Sequence, residues 1–190
     1  MEGRPVSRQE ALQYRTYKHA CHAMLYAASD EKLFGKIPIR NVVLMQMRFD
    51  GRLGFPGGFV DPEAEGLEAG LCRELLEELG CPVELGEQDY LSSHAYSSQH
   101  LVTHFYTKSI SLEQLRDIER AALSAKDHGL EVMGMVRVPL FTLRDGVGGL
   151  PAFLSNCFIG NARCQLVDAL RSLRLVREDW LVSALKLSHH

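Results

Sequence analysis

The sequence predicts an α/β sandwich built on a mixed sheet, and three observations carry that expectation. Segments of strand character alternate with segments of helical period, and no repeat or low-complexity tract interrupts them. One strand, Asn41 to Met47, is apolar on both faces, which places it in the interior of a sheet covered on two sides. The chain has 190 residues and is 46% hydrophobic, which suits one substantial core and argues against a second. A single domain spanning residues 1–190 is therefore expected.

The elements follow in order. After a polar first segment, Ala20 to Ala27 reads as a strand, and Asn41 to Met47 as the central one. Gly51 to Gly58 is rich in turn residues and leads into a helix stopped by Gly80. Tyr90 to Tyr96 and Leu101 to Lys108 form a strand pair around Ser97-Ser98-Gln99-His100. Ser111 opens the next helix, with Glu113 and Gln114 in its first turn and Leu112, Leu115, Ile118 and Ala122 as the buried stripe. The Asp127 to Glu131 loop enters a strand from Leu130 to Val138, ended by Pro139. From Gly160 the chain reads as helical to the terminus. Leu166, Leu170, Leu173, Trp180, Leu181, Ala184 and Leu185 are its packing positions.

The helix ending at Gly80 carries the chemistry. Glu74 and Glu78 stand one turn apart on one face, with Glu77 beside them, so three carboxylates converge. Like charges at these spacings oppose the helix by a few tenths of a kcal/mol per pair, roughly, unless a cation removes the repulsion. Mg²⁺ or Mn²⁺ suits such a face, because each accepts carboxylate oxygens and completes its shell with water and phosphate oxygens. Arg73 lies four residues before Glu77 and is placed to hold it by a charge-assisted hydrogen bond. Leu71, Leu75, Leu76 and Leu79 form the arc that anchors the helix to the core.

Arg73 to Cys81, with Gly57 and Gly58 before them, resembles the Nudix box of the Nudix hydrolase superfamily, here about residues 58–81. The family pattern has a Glu six residues after the box glycine, whereas Glu65 follows Gly58 by seven, which leaves Glu65 without an expected role. Four longer stretches, His19 to Tyr26, Leu44 to Val60, Lys126 to Val132 and Val138 to Leu150, resemble a narrower branch, the vertebrate U8 snoRNA-decapping Nudix hydrolases.

The resemblance implies a Nudix-type α/β/α sandwich and a metal-dependent hydrolase of nucleotide diphosphate linkages. Its substrates would be methylguanosine-capped RNA, such as U8 snoRNA and mRNA, and purine nucleoside diphosphates of the (deoxy)inosine type. It implies Mg²⁺ or Mn²⁺, with Co²⁺ as a further candidate, held by the Gly57 carbonyl, Glu74, Glu77, Glu78 and His94. Glu77 or Glu78 would accept the proton of the attacking water, with Arg73 as the supporting residue. Glu131 is a secondary candidate for a base. His22, Arg48, Phe55 and Gln165 match positions that hold the nucleotide: Phe55 by stacking, His22 and Gln165 by hydrogen bonds, Arg48 by neutralising phosphate. A homodimer and residence in the nucleolus and nucleoplasm, or in the cytoplasm, are implied in the same way. Two other readings keep the fold. One changes the substrate to ADP-ribose or another free nucleotide. The other is a non-catalytic RNA- or protein-binding module, as in a relative that lost the box glutamates.

Composition bounds these readings. A formal charge of −3 means that any affinity for RNA is local rather than general. Basic residues gather near Arg4, Arg8, Arg15 and Lys18, at Arg48 and Arg52, and along Arg163, Arg171, Arg174 and Arg177. The five cysteines, at positions 21, 72, 81, 157 and 164, lack zinc or redox spacing, so reduced intracellular thiols are expected. No leader segment and no apolar run long enough for a membrane span is present, and a soluble protein without a membrane partner is expected.

Overall fold

A computed structural model describes residues 3–188. The chain begins with β1 (Arg4–Val6), α1 (Arg8–Ala11), β2 (Lys18–Ala28) and a small hairpin, β3 (Lys32–Leu33) and β4 (Ile37–Pro38). It continues through β5 (Asn41–Arg48), β6 (Leu53–Gly54), β7 (Gly57–Val60), α2 (Leu67–Leu79), β8 (Tyr90–Tyr96), β9 (Leu101–Ser109) and α3 (Leu112–Ala121). It closes with β10 (Val132–Arg137), α4 (Leu150–Leu154), α5 (Ala162–Ser172) and α6 (Glu178–Leu187).

The main sheet has the order β1-β8-β9-β2-β5-β10, with β6 beside β5 and β7 beside β2. β2 and β9 run parallel from Lys18 opposite Leu101 to Tyr26 opposite Ser109, while the other pairs are antiparallel. The sheet is therefore mixed, as expected, and β5 lies inside it between β2 and β10. One apolar core packs Leu71, Leu75, Leu79, Leu115 and Ile118 of α2 and α3 against Cys21, Ala23 and Leu25 of β2. A second packs α4, α5 and α6 against the other face, through Leu150, Leu154, Leu166, Leu170 and Leu181 on Met24, Val43 and Met45. Helices cover both faces of one sheet, giving the predicted sandwich.

One irregularity opens the sheet. The edge of β2 away from β9 is shared: β5 pairs only with Tyr26 to Ala28, and β7 takes His19 to His22. β5 diverges from β2 beyond that point, and the Gly57–Val60 strand fills the fork. Gly57 belongs there because its φ is +128° and a Cβ would stand 2.8 Å from the His22 Cα and collide with the Cys21 carbonyl.

Several elements depart from expectation. Leu76 is 49% exposed rather than part of the anchoring arc. Positions 67, 71, 75, 78 and 79 make one stripe, so the inward place goes to Glu78. The strand after the Asp127 loop begins at Val132, and Leu130 is exposed. The C-terminal segment is two helices, because Arg174 adopts a left-handed φ of +52° and Leu175 N–H bonds back to the Leu170 carbonyl at 3.0 Å, ending α5. Of the segment expected to be helical to the terminus, residues 189–190 lie outside the described residues. β1, α1 and α4 are short elements without a periodic signature of their own. All five cysteines are free, and no described helix is long and apolar enough to cross a membrane.

Candidate active site

α2 is aimed by its own stripe and by two glycines. Gly80 ends it at φ +71°, its N–H on the Leu76 carbonyl at 3.0 Å. Gly70 lets the helix lie close on β7, where a Cβ would come 2.7 Å from Val60 Cγ1. The close approach brings Glu78 inside, 5% exposed. Its Oε1 accepts Gln46 Nε2 at 2.9 Å and its Oε2 accepts the Gly57 backbone N–H at 2.7 Å. Burial pushes this carboxyl up to about 7, against the pull of those two hydrogen bonds. Glu74, one turn earlier, lies against the second glycine, where a Cβ on Gly58 would collide with its carboxylate.

The three glutamates do not converge; each is held by a different group. Arg73 Nη1 donates to Glu74 Oε1 at 2.6 Å, Lys126 Nζ donates to Glu77 Oε2, and Glu78 is clamped as described. Among the described residues no group of three or more His, Cys, Asp or Glu side chains has an arrangement able to hold a metal ion. Unlike charges within reach compete with convergence, so the half-buried Glu74 and Glu77 turn to cations. Arg73 was expected to hold Glu77, which is 3.8 Å away, but its main partner is Glu65. The guanidinium makes a two-point contact with that carboxylate at 3.1 and 2.9 Å and also donates to the Phe59 carbonyl at 3.3 Å. Glu65 thus has a task the shifted spacing concealed, tying the loop of residues 61–66 to α2.

The Asp127 loop is nearer to the acidic helix than its place in the sequence suggested. Asp127 N–H bonds the Glu77 carbonyl at 3.2 Å, and its negative charge contributes to the rise of Glu78. Glu131 contributes only its backbone, accepting Phe49 N–H at 2.9 Å, and its exposed side chain has no contact with the glutamates.

The remaining candidates gather on the other face of the sheet. His22 stands beside Phe105 in register, His94 stands opposite Thr103, and Thr103 accepts Asn161 from the start of α5 at 3.4 Å. His94 and Gln165 line a cavity of about 450 Å³ with Phe105, Asn161 and Asp168. His94 Nδ1 and Gln165 Nε2 are both buried and unpartnered in it. His94, expected among the metal ligands, is therefore grouped with Gln165 rather than with the glutamates. Loss of water around His22 pushes its imidazole down to about 4, with the Arg48 cation adding to the effect. Arg48 lies across Phe49 at 5.3 Å and 3.5 Å from Asp50. Phe55 is 3% exposed and packs on Phe105 at 4.9 Å, so its ring faces belong to the core and offer no base a stacking surface.

A divalent cation fits the seam where α2 meets the glycine turn. The donors there are hard oxygens, from Glu74 and Glu78, with the Gly57 backbone beside them. The glycine pair leaves space that any side chain would fill. His94 lies in the cavity with Gln165, and Glu77 reaches the same Arg73 guanidinium as Glu74, at 3.8 Å. Gln46 and Lys126 were missed in the sequence: the first reads as one polar residue in an apolar strand, the second as a loop cation.

Compared with known proteins, residues 19–176 match the family model described as Nudt16-like, U8 snoRNA-decapping enzyme-like. The chain is 61% identical over 190 residues to the U8 snoRNA-decapping enzyme of Xenopus laevis, covering 98% of this chain and 90% of that one. It is 54% identical over 186 residues to the Tudor-interacting repair regulator protein of Homo sapiens, covering 97% and 88%. The Nudix domain of Shewanella oneidensis NrtR, solved with ADP ribose, superposes with a TM-score of 0.54 at 20% identity, over 90% of this chain and all of that one, a likeness of fold. The chain accordingly belongs to the Nudt16-like family of Nudix proteins.

Proposed function

We propose that this protein is a divalent-metal-dependent Nudix hydrolase that cleaves the diphosphate linkage of capped RNA, with inosine-type nucleoside diphosphates as smaller substrates. The observation that carries the reading is the Glu78 clamp: a carboxylate taken out of water and fixed by Gln46 and the Gly57 N–H, with Glu74 at the adjoining glycine. Placing a buried carboxylate without a cationic partner is costly, and a bound cation offsets that cost. The family match and the named decapping relatives supply the substrate class.

When bound, Mg²⁺ or Mn²⁺ would draw charge from the diphosphate oxygens and acidify a water for attack on phosphorus. Glu74, Glu78 and the Gly57 carbonyl would hold it. Arg73 keeps Glu74 oriented and, through Glu65, fixes the glycine loop. Glu78 is the more basic of the two proton-acceptor candidates: burial raises its carboxyl to about 7, while the Lys126 hydrogen bond holds Glu77 below the usual carboxylate range. Arg48 sets positive charge near His22, and His94 with Gln165 offers a lone pair and a donor to the nucleotide.

Glu78→Gln, incubated with Mn²⁺ and capped RNA, inosine diphosphate, guanosine diphosphate and ADP-ribose in parallel, should lose turnover by at least about 10³-fold while keeping its fold by circular dichroism. Chelator should silence the parent protein. Full activity of either, or parent turnover of neither capped RNA nor inosine diphosphate, overturns the reading. The human relative's name favours one other reading, a protein-binding module. That reading requires Tudor-domain binding that survives replacement of Glu74, Glu77 and Glu78 together, with no phosphate release under any metal.

A further inference from the structure

A groove of about 1050 Å³ opens at the far end of the sheet, between the start of β5 and the turn joining α5 to α6. Four arginines line it, Arg40, Arg171, Arg174 and Arg177, against one carboxylate, Glu178. In a chain of net charge −3 such a sign is local. Two of the four have acidic partners: Arg171 Nε bonds both Glu178 oxygens at 2.9 and 3.0 Å, and Arg177 faces Asp179 at 3.6 Å. Arg40 and Arg174 are exposed and have no ion pair among the described residues.

Arg174 also stands where a helix usually ends in glycine, just beyond α5 at φ +52°. Phe141 and Trp180 share the groove walls. Free guanidinium groups beside aromatic rings match the phosphates and base faces of single-stranded nucleic acid. Asn41 Nδ2 bonds the Leu175 carbonyl at 2.8 Å, which ties the groove to the head of β5. Gln46, which holds Glu78, lies five residues along the same strand, about 17 Å away at the strand rise.

We infer that this groove binds the body of the RNA substrate, the single-stranded nucleotides beyond the cap, through Arg40 and Arg174 and by stacking on Trp180. The identity of the ligand rests on the decapping reading; the groove can be tested without turnover. Trp180 is the only tryptophan of the chain, so titrating the full-length protein with uncapped single-stranded RNA of about 15 nucleotides should quench its emission. Arg40→Ala combined with Arg174→Gly, the latter relieving the left-handed backbone, should weaken that binding about tenfold. It should also reduce the slope of log affinity against log salt by about 1.4, or 0.7 for each of two lost phosphate contacts.

In turnover, the same variant should raise KM for a long capped RNA while hydrolysing a capped dinucleotide at the parent's kcat/KM. Unchanged RNA affinity and salt slope would overturn the inference, as would equal losses on the long and short substrates. A changed sedimentation coefficient with unchanged RNA affinity would also overturn it and mark the groove as a contact between copies. If the parent cleaves neither capped substrate but binds RNA in a way the variant loses, the groove stands and the decapping reading falls.

Discussion

At the scale of residues, the site turns on how one carboxylate is kept out of water. Glu78 has two donors, and each is specific to its position: Gln46 is itself 1% exposed, and the Gly57 N–H is placed by a backbone conformation and close approach that a side chain would block. Removing one donor leaves a buried oxygen unsatisfied. Gln46→Leu should therefore lower stability by about 1 to 3 kcal/mol, read by urea unfolding at pH 8, and should lower kcat as Glu78 loses its fixed orientation. No change in either would show that the clamp is incidental. Arg73 works differently, because its four hydrogen bonds go to Glu65, Glu74 and the Phe59 carbonyl rather than to Glu77. Its loss should free the loop of residues 61–66 as well as Glu74, so Arg73→Ala is expected to reduce kcat/KM by roughly 10- to 100-fold.

At the scale of elements, the wedge of β7 into the fork between β2 and β5 makes the site possible. It puts the Gly57 N–H beside α2 on one face and sets His22 opposite the same glycine on the other. Gly57→Ala meets two penalties, a φ of +128° and a Cβ driven into the Cys21 carbonyl. A loss of about 3 kcal/mol is expected, which for a chain of this length is a fall in Tm of roughly 6 to 12 °C by differential scanning calorimetry. A variant that melted with the parent would mean the strand can back away from β2. The α3 start shows the opposite case, an element legible from its own residues: Ser111 accepts the Gln114 N–H at 3.1 Å, and Gln114 Oε1 accepts the Ser111 N–H at 2.9 Å.

At the scale of the whole molecule, a buried polar chain should set the acid limit of stability. His104 is fully buried, bonds His19 at 2.9 Å and Ser93 at 2.8 Å, and is pushed down to about 3 by burial, by His19 and by the Arg8 cation. Its folded pKa lies below the unfolded value near 6.5, so between about pH 6.5 and 3 the unfolded chain binds a proton that the native one refuses. Stability must then fall with pH in that window, by about 1.4 kcal/mol per pH unit from this residue. His104→Gln should flatten the slope by that amount in urea titrations from pH 6 to 4. An unchanged slope would place the acid sensitivity elsewhere.

The sequence alone determined what acts within a turn or two of chain: the Leu71, Leu75, Leu79 stripe, the stop at Gly80, the Ser111 cap, the doubly apolar central strand and the acidic residues of α2. Helical and strand periods are local, so they survive in a one-dimensional reading. Only the tertiary structure decided which charges meet. Glu78 finds Gln46 across 32 residues and Glu77 finds Lys126 across 49, contacts set by strand order and by the approach of a loop. It also divided the expected site between two faces of the sheet, with the glutamates under α2 and His94 and Gln165 under α5. A local pattern states how a side chain points from its own element. Which neighbour it meets depends on the packing of elements far apart in sequence.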